Sequence, residues 1–152
     1  MSAMDENEHF RRLENMYAAA PLNDYYRPSM TVAEGASEIS MDIDKKFFHA
    51  GQAVHGSVYF KMLDDAAFFA ANSLEPYVFV LTTSFTTYLT KPISSGKMTA
   101  VGKVVNQNRS QFIAEAIVYN AKGQEIGRGN GIFVRSKVKL MDVEGYKLMS
   151  KS

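Results

Sequence analysis

The sequence predicts an α+β domain in which an antiparallel sheet of about five strands curves around one long central helix. Three observations lead there. Residues 56–73 read as a helix that is apolar nearly all round, so it must be surrounded. Five runs of strand character flank it, at 36–44, 77–90, 98–106, 111–119 and 124–134. The last three follow one another through short connections, the pattern of an antiparallel meander.

After a polar leader, residues 9–20 place Phe10, Leu13, Met16 and Tyr17 on one side of a short helix that ends before Pro21, a peripheral cover. Residues 36–44 alternate strictly, with Ile39, Met41 and Ile43 against Glu38, Ser40, Asp42 and Asp44, which makes a half-buried strand. The central helix opens at His55-Gly56-Ser57. Residues 77–90 are rich in Val, Thr, Phe and Tyr and end at Pro92 and Ser94-Ser95-Gly96. Asn120-Ala121-Lys122-Gly123 links the last two strands as a hairpin loop. In the final strand Gly127, Gly129 and Gly131 share one face, and something must pack on it because glycine alone weakens a strand. Beyond Arg135 the chain is charged and weakly patterned, a short helix or a frayed end. The expected division is a leader and cover helix over 1–29, the domain over 30–136 and a tail over 137–152. The side of the central helix left open by the sheet is expected to be covered by a loop or a partner subunit.

Composition narrows the function. The 152 residues, 46% of them hydrophobic, suffice for one real core and not for two ordinary domains. A formal net charge of +1 gives no field for gripping nucleic acid, and no basic run suggests a membrane surface. With no cysteine, a disulfide framework or thiolate zinc site is impossible, and His9, His49 and His55 are too few for a typical metal cage, so no metal site is expected. The start, MSAMDENEHF, has neither the charged nor the apolar region of a signal peptide, and no run approaches the roughly 20 apolar residues of a membrane span. A soluble, cytoplasmic protein is expected.

One residue of the central helix stands out. Lys61, Asp65 and Asn72 line a polar stripe, and the i,i+4 spacing of Lys61 and Asp65 reads as a solvated pair. Asp64 lies off that stripe, among Phe60, Ala67, Phe68 and Ala71. Burial there raises a carboxylate's pKa, and the side chain is either a structural hydrogen-bonding group or a reactive one. The helix start bears on the choice, because its unpaired amides can polarise a carbonyl or hold an oxyanion. Eight residues separate Gly56 from Asp64, about 12 Å along the axis, too far for one carbonyl to touch both. If the two act together they come from different subunits, with two helices antiparallel across a twofold axis.

Here a resemblance carries further. Over residues 30–136 the chain resembles the hotdog-fold acyl-CoA thioesterases of the phenylacetate-pathway (PaaI-like) type. The matching residues are His55, Gly56 and Ser57 at the turn, Asp64 nine positions after the histidine, and Ala66 two further on. The resemblance implies a hotdog fold, a homodimer or a homotetramer built from dimers, and active sites at the subunit interface. It assigns the Gly56 amide as the donor that polarises the carbonyl and Asp64 of the opposing subunit as nucleophile or general base. The chain departs from the pattern at Ser57, where the family has a second glycine, and at His49, where it often has asparagine. Ser57 can cap the helix or touch substrate; His49 either orients the attacking water or is a satisfied loop histidine. Thr82 or Thr83 corresponds to a hydroxyl that binds the water, and period-two alternation lets only one of them face inward. His55 is expected to fix the turn through its ring.

The reaction that fits is hydrolysis of an acyl-CoA thioester, because a thiolate leaves without strong protonation and no catalytic triad is needed. No cofactor is expected, coenzyme A entering as part of the substrate. Arg109, Ser110, Arg135 and Lys137 are candidates to meet its phosphates, and Phe60, Phe68 or Tyr88 to line the acyl group. Two alternatives are a hotdog 3-hydroxyacyl dehydratase using His49 and Asp64, and a noncatalytic acyl-CoA-binding module.

Overall fold

The computed structural model describes residues 5–149. Helix α1 (Glu6–Ala19) starts where the Asp5 carboxylate accepts a hydrogen bond from the Asn7 amide at 2.9 Å, with Glu6 and Glu8 in the first turn, where the helix dipole favours anions. One turn of helix α2 (Asn23–Tyr26) follows, and Arg27 in the left-handed region, φ 51°, swings the chain into strand β1 (Ser29–Ala33). The rest is β2 (Ala36–Asp42), helix α3 (Gly56–Ser73), β3 (Val78–Leu89), β4 (Lys97–Gln107), β5 (Phe112–Tyr119) and β6 (Glu125–Lys139). They form one antiparallel sheet in the order β1-β2-β4-β5-β6-β3, with the expected meander at its centre and β1 and β3 at its edges. The sheet thus has six strands. The sixth, β1, buries only Val32, and a single inward residue leaves no alternation to read in the sequence.

Helix α3 is buried along most of its length, including Met62, Leu63, Ala66, Ala67, Ala70 and Ala71. It approaches the sheet closely at Gly102 of β4, where an added Cβ would stand 2.2 Å from the Ala66 carbonyl oxygen and 2.7 Å from the Ala67 nitrogen. The neighbouring Ser37 hydroxyl donates to that same oxygen at 2.6 Å. Gly102 is therefore the position where only glycine lets helix and sheet meet. The face of Gly127, Gly129 and Gly131 is filled differently: the Phe85 ring lies over Gly129 and Gly131, and Phe60 packs edge-on against Phe85 at 5.7 Å.

The open side of α3 is covered by helix α1 and the segment that follows β6. His9 of α1 donates through Nε2 to the Asn72 carbonyl at 2.8 Å, and its Nδ1 accepts from the Tyr146 hydroxyl at 2.6 Å. Since a carbonyl only accepts, this pattern fixes the neutral tautomer. Strand β6 runs to Lys139, past the boundary expected at residue 136, and the chain then docks through buried Leu140 and Tyr146 rather than fraying. Asn15 adds a bond to the Lys147 carbonyl at 2.7 Å.

This cover overturns one expectation. Lys61 and Asp65 do pair, at 2.7 Å, but Lys61 is only 9% exposed and Asn72 is fully buried, so the stripe is not solvated. It reads as surface because the covering helix lies some forty residues earlier in the chain, beyond the reach of helical periodicity. Asn72 instead ties down β3, accepting from the Val80 amide and donating to the Val78 carbonyl.

Candidate active site

Asp64 stands at the wall of a cavity of about 520 Å³, within the size range of small-molecule sites. The cavity lies between α3, the first half of β3, the turn from α1 into α2, and residues 143–144. Its surface is mainly apolar, with Met16, Phe68, Phe69, Phe79 and Leu81 among its walls. The Thr82 hydroxyl donates to Asp64 Oδ1 at 2.9 Å. Burial pushes the Asp64 carboxyl up to about 6; the Thr82 bond and the Lys61 ammonium oppose that shift, whereas the neighbouring Asp65 carboxylate adds to it. A carboxylate in an apolar cavity that still ionises near neutral pH is equipped to accept a proton or attack a carbonyl.

The structure separates the two threonines. Thr82 faces Asp64, whereas Thr83 is exposed and donates to the Ile132 carbonyl of β6, so it is not a cavity residue. Phe68 lines the cavity as expected. Phe60 and Tyr88 do not; both are exposed side chains outside it, Phe60 resting on Phe85. Among the residues that sequence reasoning missed, Tyr17, Asn23 and Val143 reach the cavity from parts of the chain assigned to the leader and the tail.

At the other end of α3, His55 is the N-cap: its Nδ1 accepts from the Ser57 amide at 3.0 Å and lies 2.8 Å from the Ser57 hydroxyl. The imidazole does the capping that a serine usually does, and Ser57 is its partner rather than the cap. Gly56 is the first helical residue, so its amide has no carbonyl one turn back to bond. A Cβ there would stand 2.9 Å from Leu89 Cδ1, which places the helix start beside the end of β3. His49 is exposed, and its Nδ1 accepts from the Gly51 amide at 2.9 Å. Gly56, Ser57, His55 and His49 all lie outside the cavity that holds Asp64. A single chain therefore keeps its carboxylate and its helix-start donors apart, as the spacing along α3 requires.

Of the residues proposed to meet phosphates, Arg109 and Ser110 lie in the turn between β4 and β5, Arg135 of β6 bonds the Arg109 carbonyl, and Lys137 lies two residues further along β6. Arg135 is committed there: its Nε donates to Glu75 Oε1 at 2.8 Å, its Nη1 donates to the Arg109 carbonyl, and its guanidinium lies over the Phe112 ring. Ser110 donates to Asn108 Oδ1 within the turn. Arg109 and Lys137 are exposed.

Residues 51–126, half of the chain and the stretch that holds both the helix start and Asp64, match the model of the thioesterase superfamily. The chain belongs to that superfamily. Its sheet and helix are the hotdog fold of the PaaI-like members. The superfamily assignment is joined by likeness to solved structures: the PaaI protein of the phenylacetic acid degradation operon of E. coli is 17% identical, with a TM-score of 0.80 over 88% of this chain and 97% of that one. A thioesterase family protein from Silicibacter pomeroyi is 23% identical, with a TM-score of 0.76 over 83% and 96%. A thioesterase from Haemophilus influenzae is 15% identical, with a TM-score of 0.71 over 79% and 85%. At such identities the likeness is one of fold. No curated protein matches the sequence. Among the described residues no helix is long and apolar enough to cross a membrane.

Proposed function

We propose that this superfamily member is an acyl-CoA thioesterase, hydrolysing the thioester to a free acid and CoA at sites shared between two subunits of a homodimer. The observation that carries the reading is Asp64, held by Thr82 at the wall of an apolar cavity in a helix whose own N-terminal donors are out of its reach. The acyl group occupies the cavity and its carbonyl meets the Gly56 amide of the opposing protomer. Thr82 engages Oδ1, so the second carboxylate oxygen takes the proton of the attacking water, or attacks the carbonyl carbon itself. Negative charge moves to the carbonyl oxygen at the helix start, and collapse expels the CoA thiolate. In the water route this releases the free acid and the thiolate takes back the proton held on Asp64; in the direct route it leaves a mixed anhydride on Asp64, which water hydrolyses to the free acid and the regenerated carboxylate. A carboxyl near 6 is mostly ionised at pH 7, as a base or nucleophile must be. The reading requires no cofactor beyond the CoA of the substrate, and the exposed Arg109 and Lys137 are cations able to meet its phosphates.

An unfinished sheet edge supports the dimer. β3 ends the sheet, is twelve residues long, and exposes Leu81, Tyr88 and Leu89. Such an edge is a template for a second strand. Thr82 marks the position of Asp64 along β3, and Leu89 that of Gly56. Antiparallel pairing of two β3 strands about a twofold near Phe85 and Thr86, midway between those positions, supports bringing each Asp64 to the other chain's Gly56.

The test is release of free thiol from a panel of acyl-CoAs by the wild type and by Asp64→Asn. Turnover lost in the variant with the dimer intact supports the reading. Binding without turnover of any thioester overturns it in favour of a binding module. Enoyl formation from 3-hydroxyacyl-CoA without thiol release overturns it in favour of a dehydratase, a chemistry that needs His49 beside Asp64, although within one protomer His49 lies outside the cavity.

A further inference from the structure

Beside Asp64 lies an ion pair that the mechanism above does not use. Lys61 Nζ sits 2.7 Å from Asp65 Oδ2, and the Tyr17 hydroxyl donates to the same oxygen at 2.7 Å. The ammonium is boxed by aromatic rings, 5.3 Å from the centroid of Tyr17 and 5.0 Å from that of Tyr26. Tyr26 in turn is stacked on Phe47 at 5.2 Å. The Lys61 side chain is 10% exposed, so both charges have been taken largely out of water. That arrangement is a poor way to gain stability. Desolvating two charges offsets most of their attraction, and an apolar pair of similar size would pack as well or better. Here, however, the pair straddles Asp64 in sequence, Lys61 one turn before it and Asp65 immediately after, and all three line the same cavity.

We propose that the Lys61–Asp65 pair, locked in place by Tyr17 and Tyr26 of the N-terminal segment, is a positioning element that sets the electrostatic field at Asp64. It rests on the reading of Asp64 as the reacting carboxylate. An unpaired Asp65 would oppose ionisation of Asp64, and an unpaired Lys61 would favour it; clamped together they hold a fixed, nearly balanced field. Among the described residues the groups facing Asp64 are few. Helix α3 supplies Lys61 and Asp65, α1 supplies Tyr17, β3 supplies the uncharged Thr82, and the chain beyond β6 supplies Glu144 on the cavity wall. Burial and the two neighbouring carboxylates hold the Tyr17 phenol far above its usual range, so it stays a proton donor to Asp65 at any working pH. The N-terminal helix thereby takes part in the electrostatics at Asp64, its Tyr17 hydroxyl bonding the neighbouring Asp65.

The experiment is a carbon-detected NMR titration of the Asp64 carboxyl in the full-length protein, alongside the pH profile of kcat/KM for thiol release. In Asp65→Asn the Asp64 titration moves down by about one unit, and in Lys61→Met it moves up by a similar amount. The double variant Lys61→Met/Asp65→Asn returns toward the wild type. Tyr17→Phe keeps the ring, exposes Asp64 to a less neutralised Asp65, and shifts the titration upward by less. Opposite signs from the two single variants are a signature that mere loosening of the fold does not produce. Should Lys61→Met prove too unstable to measure, Asp65→Asn and Tyr17→Phe, both near-isosteric, carry the test. An unmoved titration, or shifts of one sign in every variant, overturns the proposal. Opposite shifts in the titration with no matching movement in the rate profile uphold the field at Asp64 and overturn its role in thiol release.

Discussion

Replacing Thr82 by valine removes one hydroxyl and keeps the branched shape, so it isolates a single interaction. That hydroxyl donates to Asp64 Oδ1 at 2.9 Å, and the bond is stronger to the carboxylate than to the neutral acid. Hydrogen bonds to charged groups are worth about 1.5–3 kcal/mol; the cavity admits water that partly replaces the donor, so the lower value applies, and it corresponds to roughly one pKa unit. The carboxyl therefore rises from about 6 to roughly 7. At pH 6 the ionised fraction falls from about one half to about one tenth, and at pH 7 from about nine tenths to about one half. The acid limb of kcat/KM for thiol release moves up by about one unit, with a loss of about fivefold at pH 6 that fades above pH 8. The assay is thiol release across pH 5 to 9 at subsaturating acyl-CoA. An acid limb that stays in place, or a loss equal at every pH, refutes the assignment of Thr82 as the group that holds Asp64 ionised.

Four further outcomes are expected. Asp64→Asn stabilises the protein at neutral pH: the folded carboxyl lies near 6 and the unfolded one near 3.9, so the folded state binds more protons between these values and wild-type stability falls as pH rises through them. The variant lacks that penalty, worth about 2 kcal/mol after allowing for solvent at the cavity, and its gain in Tm at pH 7.5 disappears at pH 4. Gly102→Ala puts a methyl 2.2 Å from the Ala66 oxygen, more than 1 Å inside ordinary contact; the helix must move, and the urea midpoint falls by the equivalent of about 3 kcal/mol or more. His9 is held neutral by burial, its pKa below the ordinary value, so the stability it contributes is complete above about pH 6.5 and is lost as pH falls through its folded value. His9→Gln removes that component, which thermal melts between pH 5 and 8 detect. Finally, Thr86→Cys, the sole cysteine in the chain, cross-links into a covalent dimer under mild oxidation, whereas Tyr77→Cys does not; the reverse result places the twofold elsewhere.

Much of this was legible in the sequence because it rests on local rules. Helix α3 occupies the predicted residues, since its apolar character and the His55-Gly56 start are properties of a contiguous segment. The three meander strands follow from runs and turn residues in the same way. β1 was hidden because one buried valine makes no pattern, and the significance of Gly102 was hidden because a lone glycine in a strand does not announce which backbone approaches it. The stripe of Lys61, Asp65 and Asn72 misled for a related reason: polarity on one face of a helix reports water or a polar partner equally well.

By itself, then, the sequence determined the helix, the carboxylate on it, and the distance that keeps Asp64 from its own helix start, because rise per residue is fixed by backbone geometry. Only the tertiary structure decided which threonine meets Asp64, that residues 16–23 and 143–144 close the cavity, and that Lys61 and Asp65 are a buried pair at its wall. Those are contacts between segments distant in the chain, and their energies depend on burial, which no local pattern records.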